Sequence, residues 1–309
     1  MPATTYILCP GQGAQHVGMG RDFYDAHPAA EDIYRRATSV LGYDLSQLCF
    51  DGPDERLNQT DISQPAIYVT SVACHAAARA AGKLGEGPFA YAGLSLGEYT
   101  ALHLAGVFTF EEGLKLVAAR GKAMQAAAVS VPSSMVAVMG ADEAAITKLC
   151  AENAAGEVLV PANFNAPGQI VVSGTKAACE RLNAAASAAG FRSIPLTVAG
   201  AFHSPIMQPG ADVMRGELEK VDLKLPVEDV YSNVTAELHT TPDGIKRLLV
   251  DQIVQPVRWE QTMAKIANEP DARFIELAPG KVLTGLLKKQ NRRAAVVTLN
   301  EAAALQAAG

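Results

Sequence analysis

The segment FAYAGLSLGEY, residues Phe89–Tyr99, decides how this chain folds. Its beginning, Phe89–Ala92, is apolar and follows a Gly-Pro turn signal, which predicts a short buried strand. A helix is predicted over Leu96–Ala105. Between them lies Gly93-Leu94-Ser95-Leu96-Gly97, and a G-x-S-x-G turn between a strand and a helix is typical of a nucleophile elbow. Such a turn holds the serine hydroxyl at a helix N-terminus, where N–H groups favour negative charge, so Ser95 is the candidate nucleophile.

The same residues allow a second interpretation. Ser95 and Glu98 have the spacing of a capping box, in which a serine hydroxyl and a glutamate carboxylate satisfy the first backbone N–H groups of a helix. In that alternative Ser95 is structural and reacts with nothing.

Strands alternate with helices on both sides of this segment, which is typical of an α/β protein with a mostly parallel sheet. We expect a hydrolase-like large α/β domain built from residues 1–129 and 199–309. Its long alanine-rich helix is expected to carry Ile67, Val69 and Val72 on its buried face. The predicted strands are Tyr6–Cys9, Phe89–Ala92, Asp229–Ser232, Arg273–Leu277 and Ala295–Thr298, and the predicted helices include 31–42, Ser63–Ala81, Leu96–Ala105 and Glu111–Ala127.

In residues 130–198 the predicted helices and strands follow one another more closely, with six elements in under seventy residues. The order β-α-β-β-α-β predicts a small ferredoxin-like subdomain that interrupts the large domain. Its predicted elements are strand Met135–Met139, helix Asp142–Asn153, strands Val158–Ala162 and Gln169–Ser173, helix Lys176–Ala189 and strand Ser193–Val198.

The composition narrows the class of protein. The chain has 309 residues, of which 49% are hydrophobic, and its 26 basic against 32 acidic residues leave a net charge of −6. That balance argues against general nucleic-acid binding, which depends on neutralising phosphates. The five cysteines are widely spaced and form no C-x-x-C pair, so we expect no disulfide framework, no metal site and a reducing, cytoplasmic location. Residues 1–11 lack a basic region and no long apolar window exists, so neither a signal peptide nor a membrane span is expected.

A serine nucleophile needs a general base. His203 is the first candidate among the histidines, because it lies in a loop, Gly200–Pro205, between the small subdomain and a helix. His16 is the second candidate, since it adjoins a glycine-rich loop. The remaining histidines are predicted in helices, at the surface or in a polar turn; they are His27, His75, His103 and His239.

The glycine-rich loop Gly11-Gln12-Gly13-Ala14-Gln15 has three possible roles. It could begin a dinucleotide fingerprint, although His16 stands at the third glycine position. It could be a plain strand-to-helix turn. It could also supply a backbone N–H to an oxyanion hole beside the elbow.

Eight short motifs lie in order along nearly the whole chain: Pro10–Gln15, Gln64–Ala66, Gly93–Tyr99, Arg120-Gly121, Asn163–Gln169, Phe202–Ser204, Gln255–Val257 and Pro279–Leu283. In these motifs the chain resembles the malonyl-CoA:acyl carrier protein transacylases of fatty-acid synthesis and their relatives, the acyltransferases of polyketide synthases. A split α/β domain with a ferredoxin-like insertion is also what this resemblance implies.

The resemblance implies a catalytic dyad. Ser95 would be acylated, and His203 would act first as general base and then as the acid that protonates the departing CoA thiol. A backbone carbonyl at Gln252 would orient His203 in place of a carboxylate. The backbone N–H groups of Gln12 and Leu96 would form the oxyanion hole.

The resemblance also implies a substrate site. Arg120 would bind the free carboxylate of the malonyl group, whereas the residue pattern alone suggests a surface helix arginine. Asn163 and the side of Gln252 facing the site would contact the substrate. Phe202 would fill the space that an α-methyl group needs, which favours malonyl over methylmalonyl by a modest margin. Leu94 departs from the family, which commonly has a histidine there, and leucine donates no hydrogen bond.

No bound cofactor is implied; malonyl-CoA is the substrate, the partner is an acyl carrier protein with its phosphopantetheine, and a monomer is expected. Carrier proteins of this type are acidic, so docking needs a local basic patch. Lys281–Arg293 contains no acidic residue, and we expect docking on its C-terminal part. A solvated helix end is the alternative. The expected docking residues are Lys288, Lys289, Arg292 and Arg293.

The sequence alone also allows other functions. A discrete polyketide-synthase acyltransferase would share every motif. A serine hydrolase acting on acyl thioesters would share the elbow but would not need Arg120, and a non-catalytic scaffold that binds acyl carriers would need neither.

Overall fold

The computed structural model describes residues 3–306, which form two β-sheets with helices packed around them. No helix in this part of the chain combines the length and apolar character needed to cross a bilayer. The strands are β1 (Thr5–Cys9), β2 (Phe89–Gly93), β3 (Ser133–Met139), β4 (Leu159–Ala166), β5 (Gln169–Thr175), β6 (Arg192–Pro195), β7 (Asp229–Val230), β8 (Arg273–Leu277) and β9 (Ala295–Leu299). The helices are α1 (Arg21–Ala26), α2 (Pro28–Leu41), α3 (Leu45–Asp51), α4 (Asp54–Leu57), α5 (Thr60–Ala80), α6 (Gly97–Leu104), α7 (Phe110–Ser130), α8 (Glu143–Asn153), α9 (Lys176–Ala188), α10 (Gln208–Glu219), α11 (Pro242–Val254), α12 (Trp259–Ile266) and α13 (Val282–Gln290), with 3₁₀ turns at Pro205–Met207 and Ala302–Leu305.

The larger sheet has five strands in the order β7-β2-β1-β8-β9, and every neighbouring pair is parallel. Strand β1 lies in the middle and is buried along its whole length, as expected for a parallel sheet covered on both faces. Its last residue, Cys9, is in register with Gly93 at the end of β2. The loops that follow β1 and β2 therefore emerge side by side at the carboxyl edge of the sheet, where α/β folds place their sites.

The smaller sheet has four antiparallel strands in the order β4-β5-β3-β6. This order, with α8 and α9 as the two crossovers, is that of a ferredoxin-like unit. The predicted fold class, a parallel α/β domain with a small antiparallel subdomain, is confirmed. The division of the chain at residues 130 and 198 stays a prediction.

The small sheet uses its two faces differently. Alternate residues of β3 and β5, such as Val136 and Val172, form a separate core with α8 and α9. The residues between them, such as Met135, Ala137 and Val171, join the main core of the large domain. Side chains alternate across a strand, so one face holds the subdomain together and the other attaches it to the large domain.

Helix α5 differs from its prediction. It begins at Thr60 instead of Ser63, and its residues from Ile62 to His75 are all buried. The predicted burial of Ile67, Val69 and Val72 is confirmed, and the buried surface extends around the whole helix. Helices α2, α6 and α7 pack around α5. The alanine-rich composition permits this, because small side chains let neighbouring helices approach from every side.

Several strand ends also differ from their predictions, those of β4, β6 and β7 among them. Strand β4 continues to Ala166, because Asn163 and Phe164 pair with β5 and reach across to Val257. Strand β6 ends at Pro195 instead of Val198, since the chain there leaves the sheet to line a cavity. Strand β7 is only Asp229–Val230 instead of Asp229–Ser232, and the next residue, Tyr231, forms a bridge with Leu238. Pairing between distant segments decides these ends, and local propensity does not report it.

Candidate active site

The segment after β2 forms the predicted tight elbow. Ser95 has φ of 53°, in the left-handed region that non-glycine residues rarely adopt. A Cβ on Gly93 would lie 1.9 Å from the carbonyl carbon of Gly97, and one on Gly97 would lie 2.1 Å from the Cys9 carbonyl oxygen. Both flanking glycines are therefore required by the close approach of backbone. A Cβ on Gly11 would lie 2.2 Å from the Leu94 oxygen, so the first glycine-rich loop presses against the elbow.

Ser95 and His203 meet although 108 residues separate them. The Ser95 Oγ lies 2.9 Å from the His203 Nε2, and both residues are buried. His203 also has a positive φ, of 56°. Strained backbone at both members of a bonded pair is typical of a functional site.

The capping-box alternative is wrong. Helix α6 has no side-chain cap, and the Ser95 hydroxyl contacts His203. The Ser95 N–H donates to the Asn233 Oδ1 at 2.6 Å, and the Glu98 carboxylate accepts from Asn233, Gln252 and His239.

A backbone carbonyl determines the tautomer of His203. The His203 Nδ1 lies 2.7 Å from the Gln252 carbonyl oxygen. Because a carbonyl oxygen only accepts, Nδ1 carries the proton, and Nε2 is left as the acceptor facing the Ser95 hydroxyl. Burial, with the nearby charge of Arg120, lowers the pKa of His203 to about 4. The imidazole is therefore neutral near pH 7 and able to take a proton.

Arg120 is a buried cation and not the surface arginine of the alternative, with 1% of its surface exposed. Its Nη1 donates to the Gln64 Oε1 at 2.8 Å, and its Nη2 donates to the Ser95 Oγ at 3.1 Å and to the Gln252 Oε1 at 2.8 Å. The guanidinium lies over the Tyr99 ring, 5.5 Å from its centroid. Burial lowers the pKa of this group.

No carboxylate of residues 3–306 forms an ion pair with Arg120, and its Nε has no partner there. A buried charge without a directly paired counter-charge is costly, and binding an anion would reduce that cost. The position beside Ser95 is therefore suited to an anionic acyl group.

A cavity of about 740 Å³ opens onto Ser95 between the two sheets. The large domain contributes Gln12, Leu94, Ser95, Phe202 and His203 to its wall, while the small subdomain contributes Met135, Asn163, Asn165 and Val171. Arg120 and Gln252 are not in the wall but lie directly behind Ser95. The amides of Gln12 and Leu96 donate to no acceptor among the described residues. They are thus free to bind an oxyanion.

Two sequence candidates lie elsewhere. His16 is exposed, and its Nδ1 lies 3.3 Å from the Ala14 carbonyl oxygen, so the structure does not bring this second candidate base to Ser95. In the basic cluster, Lys288 donates to the Ala294 carbonyl oxygen at 2.6 Å, while Lys289 contacts Gln169 at the cavity wall. Arg292 and Arg293 are exposed.

Several functional residues were missed from the sequence. Asn233 accepts from the Ser95 N–H and donates to the Gly93 oxygen at 2.7 Å, so it holds both sides of the elbow. His239, expected in a polar turn, is buried beside Glu98. Local sequence around Asn233 and His239 carries no signal for these contacts, because their partners are more than 130 residues away.

Known proteins share this architecture. A model of the acyl transferase domain matches residues 5–305. The malonyl CoA-acyl carrier protein transacylase of Escherichia coli strain K12 is 42% identical over 303 residues, which cover 98% of this chain and 97% of that protein. The structure of the transacylase of the same name from Coxiella burnetii has a TM-score of 0.95 at 37% identity, covering 99% of this chain and 96% of that chain.

A further solved structure shows a malonyl-transacylase in complex with a type II polyketide synthase acyl carrier protein. It has a TM-score of 0.93 at 39% identity, and the match covers 98% of each chain. With a family model matched over nearly its whole length, and with relatives of this identity and coverage, the chain belongs to the malonyl-CoA–acyl carrier protein transacylases of the acyl transferase domain family.

Proposed function

We propose that this protein transfers the malonyl group of malonyl-CoA to the phosphopantetheine thiol of an acyl carrier protein through a malonyl ester on Ser95. The observation that carries the proposal is the buried Arg120, which lacks a carboxylate partner and donates to the nucleophile itself at 3.1 Å. A malonyl thioester combines the carbonyl that Ser95 attacks with the carboxylate that Arg120 lacks.

In the first half-reaction, His203 Nε2 takes the hydroxyl proton as the Ser95 Oγ attacks the thioester carbonyl. The amides of Gln12 and Leu96 hold the resulting oxyanion, and removing one such donor costs roughly 10²–10³ in rate. The carbon–sulfur bond then breaks, and the CoA sulfur leaves with the proton from His203. The Gln252 carbonyl keeps Nδ1 protonated throughout and so stabilises the imidazolium.

The second half-reaction runs the same steps in reverse. The carrier thiol gives its proton to His203, and its sulfur attacks the ester carbonyl of malonyl-Ser95. The bond from the carbonyl carbon to Oγ breaks, and Oγ recovers the proton. No cofactor takes part in either step, because malonyl-CoA brings the activated thioester and the carrier protein brings the thiol.

Acyl selectivity comes from both ends of the acyl group. Arg120 binds the malonyl carboxylate, which replaces the Ser95 hydroxyl as an acceptor for its N–H groups once Ser95 is acylated. Phe202 lies in the cavity wall beside His203, and its backbone oxygen accepts from the Ser173 hydroxyl at 2.5 Å. That bond fixes the backbone of Phe202, and we propose that its ring fills the space which an α-methyl group would need. Asn163 and Leu94 also line the cavity, where Asn163 offers a polar contact and Leu94 an apolar surface.

Mass spectrometry of the protein after treatment with malonyl-CoA tests the reaction. We expect one malonyl group on Ser95 that persists until carrier protein is added. Ser95→Ala should carry none, whereas Ser130→Ala should react normally, because that hydroxyl only bonds a helix carbonyl. An adduct lost rapidly to water without carrier would instead establish the serine-hydrolase alternative.

Docking of the carrier is proposed on the exposed part of the basic cluster, at the C-terminal end of α13. Val282 and Leu286 of this helix line the cavity, and Lys289 contacts Gln169 at its wall. An acidic carrier bound there would reach the mouth with its phosphopantetheine arm. Because Lys288 is bonded to backbone carbonyls, Lys289 and Arg292 are the better residues to test.

Reversing the charge of Lys289 and Arg292 to Glu should raise KM for the carrier and leave KM for malonyl-CoA unchanged. Lys115→Glu is the matched control, since this exposed lysine lies on α7 outside the cavity wall. Equal changes in both KM values would show that the cluster does not dock the carrier.

A further inference from the structure

A carboxylate and an imidazole are completely buried behind the nucleophile. The side chains of Glu98 and His239 have no exposed surface, and the His239 Nε2 lies 2.7 Å from the Glu98 Oε1. The other oxygen, Oε2, accepts from the Gln252 Nε2 at 2.7 Å and from the Asn233 N–H at 3.1 Å. Neither Glu98 nor His239 lines the cavity, and neither side chain contacts the Ser95 hydroxyl, so the proposed reaction does not use them directly.

The Glu98 carboxylate and the Ser95 carbonyl oxygen, both acceptors of the Gln252 Nε2, fix which way the Gln252 amide points. A carboxylate oxygen only accepts, so Glu98 requires the NH₂ of Gln252 to face it. The amide oxygen of Gln252 must then face the opposite side, where it accepts from Arg120 Nη2 at 2.8 Å. In the reversed orientation, the amide oxygen would oppose the carboxylate and the NH₂ would oppose the guanidinium. Both ends would repel, so Glu98 helps to hold the Gln252 oxygen towards Arg120, where it acts as an acceptor together with the Gln64 Oε1 and the Ser95 Oγ.

His239 fixes the carboxylate in turn. Its Nε2 donates to Glu98, and its Nδ1 has no partner among residues 3–306. Donation to Glu98 is thus the one polar contact of the His239 side chain in this part of the protein. Three N–H groups converge on the two oxygens of Glu98, from His239, Gln252 and Asn233, which is the environment that suits an ionised carboxylate.

We propose that Glu98 and His239 form a positioning pair that sets the preference for a carboxylated acyl group, by holding Gln252 and, through it, Arg120. The proposal rests on the proposed function, because it concerns how Arg120 meets the malonyl carboxylate. Glu98 is a positioning residue: it acts through the Gln252 amide and touches no substrate.

Glu98→Gln tests the pair, because it keeps the shape of the side chain and lets either an oxygen or an NH₂ face Gln252. The measurement is kcat/KM for acylation of Ser95 by malonyl-CoA and by acetyl-CoA, which lacks the carboxylate. We expect the malonyl-to-acetyl ratio to fall about tenfold, since a hydrogen bond to a charged group is lost or weakened.

Glu276→Gln is the matched control. Glu276 is also a fully buried carboxylate, and it accepts from the backbone N–H groups of Leu283 and Thr284 at 2.8 and 2.7 Å. It has no bond to Gln252 or Arg120. This variant should lose stability, yet its malonyl-to-acetyl ratio should match that of the unmodified protein.

A double variant and a conservative variant sharpen the test. In the Arg120→Ala background, adding Glu98→Gln should change the ratio no further, because the group it positions is gone. His239→Gln keeps an N–H donor for Glu98 and should keep most of the ratio, whereas His239→Leu removes the donor and should lower it.

An unchanged ratio in folded Glu98→Gln would overturn the positioning role, as would an equal fall in Glu276→Gln. Additive effects of Glu98→Gln and Arg120→Ala would also contradict it. These results differ from failure of the proposed function, in which the unmodified protein itself forms no malonyl-Ser95.

Discussion

Replacing Asn233 with alanine tests what holds the strained nucleophile in place. The Asn233 side chain accepts from the Ser95 N–H at 2.6 Å and donates to the Gly93 carbonyl oxygen at 2.7 Å, and Asn233 is 2% exposed. Alanine would leave one donor and one acceptor buried without partners. Each costs about 1–3 kcal/mol, so the free energy of unfolding should fall by about 2–6 kcal/mol.

The same change should slow acylation. Ser95 has a φ of 53°, and such a conformation persists only where surrounding contacts maintain it. Without Asn233 the elbow can relax and move Oγ away from His203 Nε2. A displacement of about 1 Å can cost roughly 10²-fold in rate. We therefore expect a loss of at least tenfold in the acylation rate, measured by rapid quench and mass spectrometry with malonyl-CoA.

Asn291→Ala is the matched control. Asn291 also bridges two backbone groups, donating to the Ala267 oxygen at 2.7 Å and accepting from the Arg293 N–H at 2.9 Å, but it is half-buried and water can replace it. The Asn291→Ala change should lower the free energy of unfolding by about 0.5–1.5 kcal/mol and leave the acylation rate unchanged. If urea unfolding showed Asn233→Ala to cost no more than this control, and acylation were unchanged, the reasoning would be refuted.

Three further predictions concern the charge, the base and the turn. Arg120→Ala should reduce acylation by malonyl-CoA about 10- to 100-fold more than acylation by acetyl-CoA, and a parallel loss with both would show a structural role. The acylation rate should stay level from neutral pH down to about 5 and fall below about pH 4, because a protonated His203 cannot accept the serine proton. A midpoint near the ordinary histidine value would contradict the effect of burial. Gly93→Ala should prevent folding or severely destabilise the protein, since its Cβ would lie 1.9 Å from backbone. Gly285→Ala lies in α13, where such crowding is absent because an added Cβ would have no neighbour within 4 Å, and it should stabilise the protein by about 0.5–1 kcal/mol in thermal unfolding. Equal effects of the two variants would exclude the steric reason.

Local patterns predicted much of the fold. The elbow could be recognised because its two glycines and its serine lie within five residues, Gly93–Gly97, between an apolar strand and a helix. The order of elements in the small subdomain could be recognised because helices and strands differ in apolar period. Strand ends were less well predicted: the end of β4 depends on pairing with Gln169–Thr175 and Val257, which local composition does not encode.

The candidate site was predicted in part. Ser95 had a local motif, but the choice of His203 over His16 from the residues alone depended on its loop. The resemblance supplied roles for Arg120 and Gln252 that the residue pattern did not indicate. Burial and contact over long separations are invisible in a single sequence.

The sequence by itself determined the tight turn at Ser95, the alternation of strands and helices, and the acidic balance that disfavours nucleic acid. These are consequences of backbone sterics, side-chain periodicity and composition. The tertiary structure alone decided that His203, Arg120, Asn233 and Gln252 meet at Ser95, at separations of 25 to 157 residues. Only there does a backbone carbonyl select the histidine tautomer and a buried arginine remain without a direct ion pair, because both effects require exclusion of water by the folded chain.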